Sequence, residues 1–190
     1  MNGSMKFAID PGHGMSNRIK GIYDPGAIHV ENGVNYEEAA IALKYGLKLK
    51  EILCAKGHNV FMTRDDAEDH APVGERAANA EKSGVQAFIS LHLNDCDDDR
   101  ANGLEVLYRD NNDMELAKKL KDALIKVTDF KDRSITQRND LAVLKFNGTA
   151  VLIELGFIAH DGNRETILNP LKRHEICETI ADVILTHFQA

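Results

Sequence analysis

The chain has 190 residues, with 23 basic against 30 acidic and a formal charge of −7. Apolar residues make up 43% and charged residues 28%, the balance of one ordinary globular domain with enough chain for its own core. The acidic balance argues against charge-driven binding to nucleic acid or anionic lipid, and no apolar run reaches the roughly 18 residues of a membrane span.

Met1-Asn-Gly-Ser-Met5 has neither a charged n-region nor an apolar h-region, so no secretory signal is read. Residues 1–4 read as a tag or a disordered start, and 5–190 as one domain. Phe7-Ala-Ile9 predicts a short strand ending at the turn Asp10-Pro-Gly12. Residues 14–35, rich in Gly and Pro, predict a long loop, a kind of segment that usually has a function. A helix is predicted from Tyr36 to Lys56, capped by Gly57. Asn59–Thr63 reads as a strand and Pro72–Lys82 as a helix with Pro in its first turn. Strands follow at Ala87–Leu91 and Leu104–Tyr108, then a helix over Met114–Val127. Ala142–Leu144 and Val151–Leu155 read as two more strands, and Leu171–Phe188 as an amphipathic helix. The alternation predicts an α/β domain: a mixed, mostly parallel twisted sheet of about six strands flanked by helices. Cys54, Cys96 and Cys177 are odd in number and form no C-x-x-C. Being far apart and without that pattern they exclude a cysteine zinc site, and they read as reduced thiols.

Four side chains break the apolar pattern. On the first long helix Ile41, Ala42, Tyr45, Leu49 and Ile52 form one stripe, and Glu38 falls in its middle while Glu37 turns toward solvent. A buried acid must be paired, protonated or bound to metal. A first-turn Glu favoured by the helix dipole explains Glu38 equally well on this helix alone. His13 follows the first strand between two glycines, and His92 ends another strand. Taken singly, each reads more readily as a structural histidine than as a ligand. Glu154 interrupts the most hydrophobic strand, where an unpartnered charge costs several kcal/mol, roughly. In α/β sheets ligands bind beyond the carboxyl ends of the strands, and all four residues can converge there. Two imidazoles and a carboxylate are the ligand set of a catalytic zinc. One further carboxylate is the general base that metal-assisted hydrolysis needs.

An ordered set of motifs then carries a resemblance. Asp10-Pro-Gly-His-Gly14, the Glu opening a long helix, Thr63-Arg-Asp65, Glu75-Arg76 and Phe88-Ile-Ser-Leu-His-Leu-Asn94 come first. Gly103-Leu-Glu-Val-Leu-Tyr108, Val143-Leu144 and Val151-Leu-Ile-Glu-Leu-Gly-Phe-Ile158 complete it. Together they resemble the zinc-dependent N-acetylmuramoyl-L-alanine amidases of the type-3 family, which includes cell-wall amidases and phage endolysins. The resemblance implies one Zn²⁺ held by His13, Glu38 and His92, with Glu154 as catalytic acid/base. It implies peptidoglycan as the substrate, with Asn94 at it; no nucleic-acid partner is expected, from the acidic balance above. The distance back from Gly57 selects Glu38 over Glu37, as the stripe does. Asp10 is the expected partner of His13, since ligating histidines usually donate their other N–H. The chain departs from the family at Gly148-Thr149, where a Met-Pro pair is usual, at His160, usually Asn, and in the loop 15–34. A non-catalytic wall-binding module of the same fold is the alternative, and a peptidase cutting within the stem peptide is a third reading. The chain is expected to be monomeric and to act on the cell wall, as a prophage-type endolysin held in the cytoplasm until release or as the catalytic part of an exported amidase.

Other features read as ordinary surface. Asp95, Asp97 and Asp99 mimic a calcium loop, but Arg100 and Val106 stand where Gly and Glu are required. Gly12 and Gly14 are followed by no G-K-[ST], so they make no phosphate cradle. His29 is the one other histidine of interest. His58, His70, His174, His187 and the Lys118-Lys119-Lys121 cluster read as surface.

Overall fold

The computed structural model describes residues 3–96, 98 and 100–189. Asp97 and Asp99 of the acidic loop and residues 1 and 2 therefore lie outside the described residues. The elements in chain order are β1 (Lys6–Pro11), β2 (Ile28–Glu31), β3 (Val34–Glu37), α1 (Glu38–Ala55), β4 (Asn59–Met62) and α2 (Arg76–Lys82). They continue with β5 (Ala87–Asn94), β6 (Leu104–Tyr108), α3 (Asn111–Thr128), β7 (Asp132–Gln137), β8 (Thr149–Phe157), α4 (Asp161–Leu168) and α5 (Pro170–Gln189). Six strands form one sheet in the order β4-β1-β5-β8-β6-β7. Every pairing is parallel except β6 with β8. The mixed, mostly parallel sheet is as expected.

Strand residues alternate between two cores. One face carries Phe7, Ile9, Ile89, Leu91, Val106, Val151 and Ile153, covered by α1, α3 and α5. The other carries Ala8, Phe88, Leu107, Ala150 and Leu152, covered by α2 and the short 3-10 turn Ala142–Lys145. The α1 stripe is buried as its spacing predicts, Glu38 included. Its first-turn N–H groups find backbone acceptors instead of a capping side chain: Glu38 N donates to Ala27 O and Ala39 N to Pro25 O. The segment before the helix is thereby drawn across its N-terminus.

Several predicted elements differ. The long loop contains an antiparallel hairpin, β2–β3, turning at Asn32-Gly33 with φ of 50° and 77°, the backbone a tight two-residue hairpin requires. Ala142–Leu144 is a 3-10 turn rather than a strand. Its buried Val143 and Leu144 belong to the second core, and burial alone cannot tell a strand from a turn over so few residues. β7 was absent from the predicted elements because it is a polar, exposed edge strand with no apolar alternation. α4 was absent because Gly162 dilutes its short pattern. Helix α2 begins at Arg76, four residues after Pro72, and α3 begins at Asn111 behind a capping box of Asp110 and Asp113.

Candidate metal centre

The same alternation that builds the second core delivers polar groups to its carboxyl-end edge. Along β1, Ala8 is followed on that face by Asp10. Along β5, Phe88 is followed by Ser90 and His92, and along β8, Leu152 is followed by Glu154. Register sets His92 beside Glu154, and Glu154 beside Glu105 of β6.

Glu38, His13 and His92 come together there. Glu38 Oε2 lies 3.1 Å from His13 Nε2, and Glu38 Oε1 lies 2.9 Å from His92 Nδ1. One ligand atom of each lies within 4.8 Å of those of the other two. Backbone donors hold the carboxylate: Ala27 N donates to Oε2 and Leu93 N to Oε1, each at 2.9 Å. Glu37 is outside the cluster and accepts from Tyr23 Oη and Asn35 Nδ2 instead. Two glycines leave room for the rings. A Cβ on Gly12 would sit 2.3 Å from the His92 ring, and one on Gly26 would sit 2.5 Å from Glu38 Oε2 and 2.7 Å from the His13 ring.

The expected partnership of Asp10 with His13 is corrected. Asp10 is buried and both its oxygens are taken: Oδ1 by Thr63 Oγ1 and Arg76 Nη1, Oδ2 by Ser90 Oγ. Asp24 takes the role, accepting from His13 Nδ1 at 2.8 Å. Ser16 Oγ and Gly26 N donate to the same Asp24 carboxylate. A backbone pairing of Gly14 with Asp24 closes the excursion 15–23 and returns Asp24 to the ring. Asp24 stands in the sequence directly before Pro25-Gly26, a turn signal that marks a constrained loop but not what the acid touches.

The charges follow from these contacts. Burial opposes a charge on His13, but Glu38 and Asp24 on either side outweigh it and raise the imidazole to about 9. Burial likewise opposes ionisation of Glu38, but hydrogen bonds to His13 and His92 hold it well below the usual carboxylate range. Glu154 is the opposite case. Burial, with the like charges of Glu38 and Glu105, pushes it up to about 7 against the pull of His92 and His13. Among the described residues its Oε2 is the buried side-chain oxygen that lacks any hydrogen-bond partner. Asn94, on the same face of β5, donates from Nδ2 to Glu105 Oε1 at 2.7 Å. Glu105 was given no part by sequence reasoning beyond its place in a motif.

A His–Glu–His cluster beside a protonatable buried carboxylate, at the carboxyl edge of an α/β sheet, defines a candidate metallohydrolase. The family model of N-acetylmuramoyl-L-alanine amidase matches residues 7–186, and the chain belongs to that family. Among individual proteins it is 28% identical over 182 residues to the probable cell wall amidase LytH of Staphylococcus saprophyticus, covering 96% of this chain and 58% of that protein. The chain thus spans little more than half the length of the curated relatives it matches. Two solved structures are similar over nearly their whole length. The catalytic domain of CwlV, an N-acetylmuramoyl-L-alanine amidase from Bacillus (Paenibacillus) polymyxa var. colistinus, gives a TM-score of 0.86 at 25% identity, covering 97% of this chain and 98% of that one. The N-acetylmuramoyl-L-alanine amidase of Clostridium difficile 630 gives 0.86 at 27%, covering 98% of each. Among the described residues no helix is long and apolar enough to cross a membrane.

Proposed function

We propose that this chain hydrolyses the amide between N-acetylmuramic acid and L-alanine in peptidoglycan, with zinc held by His13, Glu38 and His92 and with Glu154 moving the proton. The observation that carries the reading is the pairing of a buried three-ligand cluster with a carboxylate oxygen that has no partner of its own. The donor set fits zinc: two imidazoles and one carboxylate, with Asp24 behind one imidazole and two backbone N–H groups behind the carboxylate. In the metal-free molecule a proton on His13 helps neutralise Glu38, so metal uptake releases protons.

Zinc in this set supplies Lewis acidity toward a carbonyl oxygen and toward water. The chain's residues do the rest. Glu154 Oε2 accepts a proton from the attacking water. The protonated carboxyl then gives that proton to the departing nitrogen of L-alanine as the C–N bond breaks. Without metal, burial pushes this carboxyl up to about 7; a divalent cation held beside it would draw it down toward the ionised form that accepts the proton. Asn94, with its amide nitrogen engaged by Glu105, presents its carbonyl oxygen to an N–H of the muramoyl peptide.

Two measurements test this together: metal content of the purified protein, and mass spectrometry of digested peptidoglycan. The expected result is one zinc per chain and new peptides that begin with free L-alanine. Zinc without any cleavage favours a wall-binding module, and new amines inside the stem peptide favour a peptidase. Glu154→Ala should keep the zinc and lose turnover. Loss of the metal in that variant would make Glu154 a ligand.

A further inference from the structure

Two arginines beneath the centre have no part in the chemistry above, yet both are 2% exposed. A buried guanidinium needs its donors satisfied, and a single carboxylate, Asp10, is at hand for Arg76. The remaining donors go to backbone carbonyls: Arg76 Nε to Ala71 O at 2.8 Å and Arg64 Nη1 to Asp66 O at 3.4 Å, and the others to the ligand-bearing segments. Arg64 Nε donates to Pro11 O at 3.0 Å. Its Nη2 donates to Gly12 O at 2.8 Å and to Ala39 O at 2.7 Å. Arg76 Nη1 bridges Asp10 Oδ1 and Pro11 O, both at 2.9 Å, and Nη2 donates to His13 O at 2.6 Å. Three consecutive carbonyls of the turn that carries His13, and the carbonyl just after Glu38, thus face two guanidinium groups.

We propose that Arg64 and Arg76 form a preset clamp that positions His13 and Glu38 to receive a divalent metal ion; the proposal rests on the metal reading above. His13 needs such support. Its φ is 61°, in the left-handed region that residues other than glycine adopt uncommonly. The Arg76 bond to its own carbonyl oxygen, with the Arg64 bond to the preceding one, fixes the peptide planes that set this angle. Helix α1 is tied to the same device through Ala39 O. The planar fork of arginine spans several carbonyls at once, which a lysine ammonium on a flexible stem does not.

Charge and position make opposite forecasts. Two buried cations against one carboxylate repel an incoming cation. If charge alone mattered, Arg76→Met would tighten zinc binding and Arg76→Lys would leave it unchanged. The clamp forecasts that both weaken it, by about 10- to 100-fold, the usual loss when the support behind a metal ligand is removed. Arg64→Lys should behave like Arg76→Lys. The readout is zinc affinity by competition with a chromophoric chelator, together with the visible spectrum of the Co²⁺ form. It is measured on variants whose circular dichroism and cooperative unfolding in chelator match the parent. Affinities within twofold of the parent in folded Lys variants overturn the clamp. Should the variants not fold, exchange of the Arg64 Nε–H proton, which donates to Pro11 O, decides in the unsubstituted protein. Protection as strong without zinc as with it supports a preset clamp, and protection that arises only on zinc addition overturns it. An unsubstituted protein that takes up no zinc defeats the metal reading and the clamp with it, whereas zinc uptake by the parent with unchanged affinity in the folded Lys variants overturns the clamp alone.

Discussion

The two faces of the central sheet are built from the same strands and end differently. Under α1, α3 and α5 the face is apolar from end to end, with Phe7, Ile9, Ile89, Leu91, Val151 and Ile153 all fully buried. Under α2 the opposite face starts the same way, with Ala8, Phe88 and Ala150, and then changes to Asp10, Ser90, His92 and Glu154. Side chains one residue apart on a strand thus serve stability on one side and chemistry on the other. Desolvated acids and imidazoles are tolerated on the second face because nearly all of them are paired, and the unpaired oxygen of Glu154 is the exception.

The comparison can be broken most sharply at Glu154. Glu154→Gln should lower turnover by about 10²- to 10⁴-fold, the scale of general acid–base catalysis, in a dye-release assay on cell walls. The same change should raise stability. The folded carboxyl titrates at about 7 against 4.5 for the ordinary group, so between those values the folded state holds the extra proton. Stability therefore falls as pH rises through that window, by about 3 kcal/mol in all. Chemical denaturation of the metal-free parent at pH 5 and pH 8 should show this fall, and the Gln variant should show a shallower one, because only the part that comes from His13, raised to about 9, remains. An equal slope in both would mean that the buried charge is not carried by Glu154.

The apolar face should answer in the opposite sense. Ile89→Ala leaves a cavity between β5 and the helices and should destabilise by about 3 kcal/mol, with zinc affinity of the folded protein unchanged. A smaller effect is expected at Asp24. Asp24→Asn keeps the shape but weakens the hold on His13 Nδ1, and zinc affinity should drop by about 10-fold or somewhat more, with unfolding midpoints in chelator close to the parent. Unchanged zinc affinity in folded Asp24→Asn would take from Asp24 the role of His13 partner. The smallest effect belongs to Glu37→Gln. Its contacts are exposed, so stability should move by less than about 0.5 kcal/mol and zinc content not at all. Glu38→Gln should strip the metal.

Much of this was legible because two periodicities are local. The 3.6-residue stripe of α1 marked Glu38 rather than Glu37, and the interruption of β8 marked Glu154. Both marks needed only neighbours within one element. The hairpin was missed although Asn32-Gly33 between two runs of alternating apolar residues, Ile28 and Val30 before it and Val34 and Tyr36 after it, signals it, since the surrounding glycines and prolines read as loop. β7 and the 3-10 turn were missed for a deeper reason: a polar edge strand has no buried face to impose a pattern, and a short buried turn has too few residues to show one.

The sequence by itself determined the α/β class, the side chains that interrupt its apolar pattern and the family they resemble, because each depends on residue type and spacing along the chain. Tertiary structure alone decided which groups hold the ligands. Asp10, three residues from His13, pairs with Arg76 and Ser90 across 66 and 80 residues of chain, while Asp24 reaches His13 by closing a loop. Strand register and the path of that loop set those distances, and neither is written in the local order of residues.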